Sequence, residues 1–205
     1  MPATDAIRTF VATSNPGKLA EFEAIFADSP LVLCVYPGYR AVPEGERDYA
    51  ENALLKARAL RRTLQDAGID GAVIADDSGL EVRALGGRPG VLSARYGGES
   101  ATWEDRRALL LREMNEQPQQ ARAARFVSCI ALVLPDGRTL VARGTLNGSI
   151  ATASFGGGGF GYDPIFFYEP AQMTLAQMTP AEKNRCSHRY HAAQMLLTEL
   201  TQRVG

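Results

Sequence analysis

The 205-residue chain is poor in the features that would place it in several broad classes. Its three cysteines, Cys34, Cys129 and Cys186, are widely spaced and form neither a C-x-x-C pair nor a Cys/His metal pattern. That excludes a disulfide scaffold and a structural zinc site, and leaves reduced thiols. No apolar run approaches the roughly 20 residues needed to span a bilayer. The opening residues, MPATDAIRTF, lack a basic segment followed by an apolar stretch, so no signal peptide is expected and the cytoplasm is the expected compartment. Net charge is only −1, so no general basic field draws in nucleic acid or an anionic membrane, and any anion site must be local. A Walker A loop, an internal repeat and a low-complexity linker are all absent.

What remains is ordinary globular composition, 45% hydrophobic and 22% charged, over a length that suits one large domain or two small lobes. Residues 6–13 read as a strand, 18–28 as a helix with Leu19, Phe22 and Phe26 on one face, and 31–36 as a second strand. After a loop rich in Pro and Gly, Asp48 opens a long helix, with Glu51 as the other half of a capping box. Tyr49, Ala53, Ala57, Leu60 and Leu64 form its apolar stripe, and Gly68 ends it. Residues 72–76 read as a short buried strand that stops at paired acids, and 101–116 as a helix. Two β-rich runs over 124–150 flank Asp136-Gly137, a strong hairpin signal. A closing helix runs from about 187 to 202. This alternation predicts an α/β fold, a mixed sheet with a long central hairpin and helices on both faces.

Five stretches carry candidate chemistry. TSNPGK (13–18) joins a strand to a helix, where outward-facing backbone N–H groups favour an anion. Lys18 then sits at the wrong end of a helix dipole by about 0.3–1 kcal/mol, unless a phosphate reverses the sign. An ordinary N-cap turn with a solvated lysine is the alternative. Asp76 and Asp77, with Glu44 and Glu46 in the loop before the long helix, could hold a hard cation such as Mg²⁺, one carboxylate ligating while its neighbour activates water. Turn chemistry before Ser78-Gly79 explains one aspartate but two less well. Lys56 lies about 60° from the centre of its helix stripe, close enough to reach the packed edge or to snorkel.

In GGGGFGYDP (156–164) the glycines allow close backbone approach, Phe160 and Tyr162 offer faces for a base, and Asp163 before Pro164 is restricted; a flexible loop with aromatic anchors is the alternative. In EKNRCSHR (182–189) Ser187 reads as an N-cap that places His188 and Arg189 in a first turn, with Lys183 one loop away. Arg189 could fork onto phosphate or a base carbonyl, whereas His188 could equally be structural.

In this order, T-x-N-x-x-K (Thr13, Asn15, Lys18), ENAxxKA (51–57), ADDSGLEV (75–82), PGVxSARY (89–96), PDG (135–137), GGFGYDPIF (158–166) and K…SHR (Lys183, Ser187–Arg189) resemble the inosine triphosphate pyrophosphatases. The resemblance covers nearly the whole chain. It implies a single nucleoside-triphosphate pyrophosphatase domain of two lobes with the active site in the cleft between them, working as a homodimer with Mg²⁺. It implies hydrolysis of ITP, dITP and XTP to the monophosphate and pyrophosphate. A pyrophosphatase for modified pyrimidine nucleotides and a non-catalytic purine nucleotide sensor are the alternatives.

Carried over by position, Asp77 is the catalytic acid residue and, with Glu44, a metal ligand. Thr13, Ser14, Asn15, Pro16, Gly17 and Lys18 hold phosphates, with Lys56 adding local positive charge and Ser78 touching substrate. Phe160, Gly161, Tyr162, Asp163, Lys183, His188 and Arg189 surround base and sugar. The family's Glu-Glu pair is replaced here by PEGE (43–46), which leaves Glu44 and Glu46 both open as metal ligands. On this reading a metal carried by substrate offsets the repulsion within Asp76-Asp77.

Overall fold

The computed structural model describes residues 6–118 and 121–204. Along them run β1 (Ile7–Val11), α1 (Pro16–Ile25), β2 (Leu31–Cys34), α2 (Tyr49–Asp66), β3 (Ala72–Val82), α3 (Trp103–Asn115), β4 (Ala123–Val133), β5 (Thr139–Ile150), β6 (Phe166–Tyr168), β7 (Met173–Thr174), α4 (Pro180–Cys186) and α5 (His188–Val204). The strands form one sheet in the order β2-β1-β3-β4-β5-β6-β7. β1 is parallel to β2 and β3, whereas β6 is antiparallel to β5 and β7, so the sheet is mixed as expected. The hairpin stands at Asp136-Gly137: the Leu134 N–H donates to the Arg138 carbonyl at 2.8 Å, and Gly137 turns with φ +88°. None of the described helices is long and apolar enough to cross a membrane.

The chain divides into two compact units. The first comprises Met1–Asp77, Ser128–Gly144 and Arg189–Gly205; the second comprises Ser78–Val127 and Thr145–His188. In the first unit, strand alternation builds two separate cores. Val11, Ala72, Ile74, Ile130 and Leu132 pack with Phe22 and Phe26 and with Ala192, Leu196 and Leu200 of α5. Phe10, Ala12, Val73, Ala75, Ala131 and Val133 pack instead against Ala53, Ala57, Leu60 and Leu64 of α2. Helices therefore cover both faces of the sheet here. The stripe read from sequence is the buried one: Leu60 and Leu64 are at most 2% exposed, each contributing about 1.5–3 kcal/mol of burial. Asp48 caps α2 by accepting the Ala50 and Glu51 N–H groups at 2.7 and 2.9 Å, and Gly68 follows the helix with φ +67°.

The second unit has its own core, in which Leu80, Val82, Leu110, Met114, Phe126, Ile165, Phe166 and Leu175 meet. α3 starts at Thr102 with a complete capping box to Asp105.

Two elements differ from the sequence reading. β3 does not stop at Asp76 but continues through both aspartates to Val82. Residues 180–186, read as loop around Lys183, form α4, with Thr179 and Glu182 in a capping box and Pro180 in its first turn.

Candidate active site

Because β3 continues, Asp76 and Asp77 are successive strand residues and their side chains leave opposite faces. Asp76 shares the face of Ala72 and Ile74, towards α1 and α5; Asp77 shares the face of Val73 and Ala75, towards α2. Each meets its own counter-charges.

Asp76 is 2% exposed. Its Oδ2 accepts from Arg189 Nη2 at 2.8 Å and Nε at 3.1 Å, and its Oδ1 faces Lys18 Nζ at 3.1 Å. The Arg189 guanidinium, itself 1% exposed, also pairs with Glu21 of α1. Burial opposes ionisation of Asp76, but Arg189 and then Lys18 and Lys56 overcome it, so its carboxyl lies well below the ordinary range. Burial opposes the charge on Arg189, but Asp76 and Glu21 outweigh it and raise Arg189. Lys18 is lowered, chiefly by burial and only partly restored by Asp76.

Asp77 is 5% exposed. Its Oδ1 accepts from Lys56 Nζ at 3.2 Å and its Oδ2 from Asn52 Nδ2 at 3.0 Å. Lys56 Nζ also donates to Glu44 Oε1 at 2.7 Å. Burial raises Asp77 above the ordinary carboxylate range, and Lys56, Lys18 and the Asn52 hydrogen bond offset it incompletely. Lys56 loses by burial but gains more from Asp77, Asp76 and Glu44, and is raised. The two neighbouring aspartates are thus driven in opposite directions.

This geometry corrects the sequence reading in three respects. The repulsion within Asp76-Asp77 is offset by the protein's own Lys18, Lys56 and Arg189, without need of a bound metal. Arg189, read as a fork onto phosphate or a base carbonyl, has its guanidinium in an ion-pair network with Asp76 and Glu21. The phosphate turn does not present the Gly17 and Lys18 N–H groups, because the Asn15 side chain accepts both, at 2.9 and 3.2 Å, as N-cap of α1. Thr13 Oγ1 in turn accepts the Asn15 N–H at 3.2 Å. What the turn offers outward is Ser14, exposed; Lys18, in the first helical turn behind Pro16 and Gly17, faces Asp76. Glu44 is the carboxylate brought to Lys56, whereas Glu46 is exposed.

Lys18, Glu44, Lys56, Asp76, Asp77 and Arg189 come together in the first unit. Sequence reading missed two members of that set, Asn52 and Glu21. Asn52 precedes Lys56 by one helical turn, on the flank of the apolar stripe, and that spacing was a usable signal. Glu21 looks like any surface helix acid, and its buried partner Arg189 lies 168 positions away.

The second unit holds the other group. The Asp163 carboxylate accepts the Phe160 N–H at 2.8 Å and pairs with Lys183, whose ammonium lies 4.6 Å from the Phe160 ring centroid. Gly159 makes this lock possible: at φ +66° a Cβ would stand 2.2 Å from Asp163 Oδ2. Arg107 holds the Gly161 carbonyl at 2.8 Å. Phe160 is half-buried, but Tyr162 is 2% exposed, edge-on to Trp103, with its hydroxyl donating to the Ser93 carbonyl at 3.1 Å. Tyr162 therefore belongs to the core and offers no stacking face, a further correction. His188 lies stacked on Phe126, 4.7 Å between centroids, and Ser78 follows Asp77 on β3, half-buried.

Among the described residues no group of three or more His, Cys, Asp or Glu side chains could hold a metal alone. Two hard carboxylates, Glu44 and Asp77, do converge on a single ammonium, Lys56. That donor set fits a magnesium-type ion that takes one or two protein carboxylates and completes its shell with water and substrate phosphate.

Comparison with known proteins gives these groups a context. The Ham1 family matches residues 9–199. A dITP/XTP pyrophosphatase of Halalkalibacterium halodurans is 46% identical over 189 residues, covering 91% of this chain and 95% of that protein. One from Thermus thermophilus is 42% identical, covering 93% and 90%. The structure of the Staphylococcus aureus Ham1 protein superposes with a TM-score of 0.80 at 38% identity, covering 96% of this chain and 99% of that one. With the match running through both groups of residues and through nearly the whole chain, this protein belongs to the Ham1 family.

Proposed function

We propose that this chain is a single-domain nucleoside-triphosphate pyrophosphatase that hydrolyses dITP, ITP and XTP to the monophosphate and pyrophosphate, keeping deaminated purines out of nucleic acid. The observation that carries the reading is the divided pair: Asp76 ion-paired with Arg189 and Lys18, and Asp77 held between Lys56 and Asn52 with Glu44 beside it. Burial that raises Asp77 makes it a better proton acceptor than an ordinary surface aspartate. The names of the relatives support the substrate class.

Glu44 and Asp77 would hold Mg²⁺. Bound there, it would supply charge neutralisation for the phosphates and a polarised water. Lys56 keeps the two carboxylates at one point, and Lys18 and Lys56 place positive charge for a triphosphate tail that the near-neutral chain as a whole does not attract. Exposed Ser14, beside Lys18, adds a further anion contact. The resemblance gives base and sugar to Asp163, Lys183 and His188, and in their unit the half-buried Phe160 ring offers a stacking face. A backbone donor of the glycine tract aimed at the 6-oxygen would be left unpaired by adenine, whose 6-position carries an amino group; rejection of about 10⁴-fold is within reach of this device. The resemblance to inosine triphosphate pyrophosphatases supports a homodimer working in the cytoplasm.

The test is initial rates of pyrophosphate release from ITP, dITP, XTP, ATP, dTTP and UTP. The inosine and xanthosine nucleotides should lead ATP by orders of magnitude. Faster turnover of dTTP or UTP, or tight ITP binding with no pyrophosphate formed, would overturn the assignment.

A further inference from the structure

Asn52 is 2% exposed, and three of its polar contacts are directed at two other segments. Its Oδ1 accepts the Gly45 N–H at 2.7 Å, and its Nδ2 donates to the Gly45 carbonyl at 3.1 Å and to Asp77 Oδ2 at 3.0 Å. An Asn side chain has two donors and one carbonyl acceptor, so both functional ends are engaged. Gly45 follows Glu44 directly, in a stretch with no helix or strand between β2 and α2. Irregular backbone of this kind does not hold a side chain in register without an outside brace. The brace comes from α2, a long capped helix buried on its inner face. One turn later on the same helix, Lys56 contacts the other oxygen of Asp77 and Glu44 itself.

We infer that Asn52 is a positioning residue that sets Glu44 and Asp77 at a fixed separation, by clamping the Glu44 loop and orienting the Asp77 carboxylate through one side-chain amide. The inference rests on the pyrophosphatase reading above and goes beyond it, because it gives Asn52 a role that acts through Asp77 and the Glu44 loop. Two carboxylates on different segments chelate one hard ion well only if their relative geometry is set before the ion arrives. Lys56 cannot set it alone: an ammonium is a point charge with freely rotating donors, whereas an amide is planar and directional.

Asn52→Ala and the milder Asn52→Ser are compared with the parent chain in three assays. These are ITP turnover with Mg²⁺, Mn²⁺ affinity by electron paramagnetic resonance with an α,β-methylene analogue of ITP present, and metal-free IMP binding by calorimetry. Both variants should lose about 10–100-fold in kcat and in Mn²⁺ affinity while IMP binding stays within about twofold. A purely structural role would move IMP binding along with metal affinity, and that result overturns the inference. So do parental kcat and Mn²⁺ affinity in both variants, or failure of both to fold. If the parent chain releases no pyrophosphate from ITP, the functional reading fails and takes the inference with it; if the parent turns over and the variants match it, only the inference fails.

Discussion

The two aspartates differ by one position yet should respond to the same substitution in opposite ways. Asp76→Asn removes the anion that compensates Arg189 and Lys18, whose side chains are 1% and 16% exposed. Glu21 remains as a partner of Arg189, but the shared carboxylate of the network is gone. Breaking a buried pair by deleting one member costs about 3–5 kcal/mol, because the surviving charge is stranded in the interior. At about 2–4 °C per kcal/mol for a chain of this size, the thermal midpoint should fall by about 6–20 °C. Asp77→Asn removes a charge that folding already disfavours, and Lys56 keeps Glu44 at 2.7 Å. Its midpoint should stay within about 4 °C of the parent, since no buried cation is left alone. Activity should invert the order, with Asp77→Asn losing about 10²–10⁴ in kcat for ITP as expected for a removed general base. Metal-free thermal melts and pyrophosphate-release rates on the same three samples decide it. An Asp76→Asn midpoint equal to the parent's, or an Asp77→Asn protein that melts far lower but turns over ITP normally, would refute the division of roles.

In metal-free buffer the same pair sets opposite pH trends. Asp76, depressed in the fold, contributes stability above its unfolded value of 3.8 that is lost as acid titrates the folded carboxyl; Asp77, raised in the fold, contributes stability complete below 3.8 and lost as pH rises through its folded value. Denaturant midpoints against pH should therefore show Asp77→Asn gaining on the parent as pH rises from about 4, and a parallel pair of curves would contradict this. Gly159→Ala forces a side chain at φ +66° into Asp163, so it should cost about 1–3 kcal/mol and raise KM for ITP, readable as a lower midpoint and weaker substrate saturation.

Several elements were legible in the sequence because local pattern decides them. The stripe from Tyr49 to Leu64 has a helical period and a capping Asp48, and Asp136-Gly137 marks a hairpin by turn chemistry alone. β3 was cut short because two acids look like the end of an apolar strand. They stay within it because Arg189, more than a hundred positions away, and Lys18 and Lys56 supply compensation that no local window contains. α4 is only seven residues, too short for periodicity, although Thr179-Pro180-x-Glu182 carries a start signal. Tyr162 appeared as a ligand face because glycines flank it, whereas Trp103 and the Ser93 carbonyl claim it for the core. The members of the site were visible as residue types; which acid serves which cation was not, since pairing depends on which face of β3 each aspartate leaves.

The most direct test is phosphorus NMR of ITP turnover, run with magnesium, with a chelator, and with the Asp77→Asn protein. Inosine monophosphate and pyrophosphate should appear in equal amounts with magnesium and be strongly suppressed in the other two. Orthophosphate with inosine diphosphate, or undiminished hydrolysis with the chelator present, would contradict the assignment of Asp77 and Glu44.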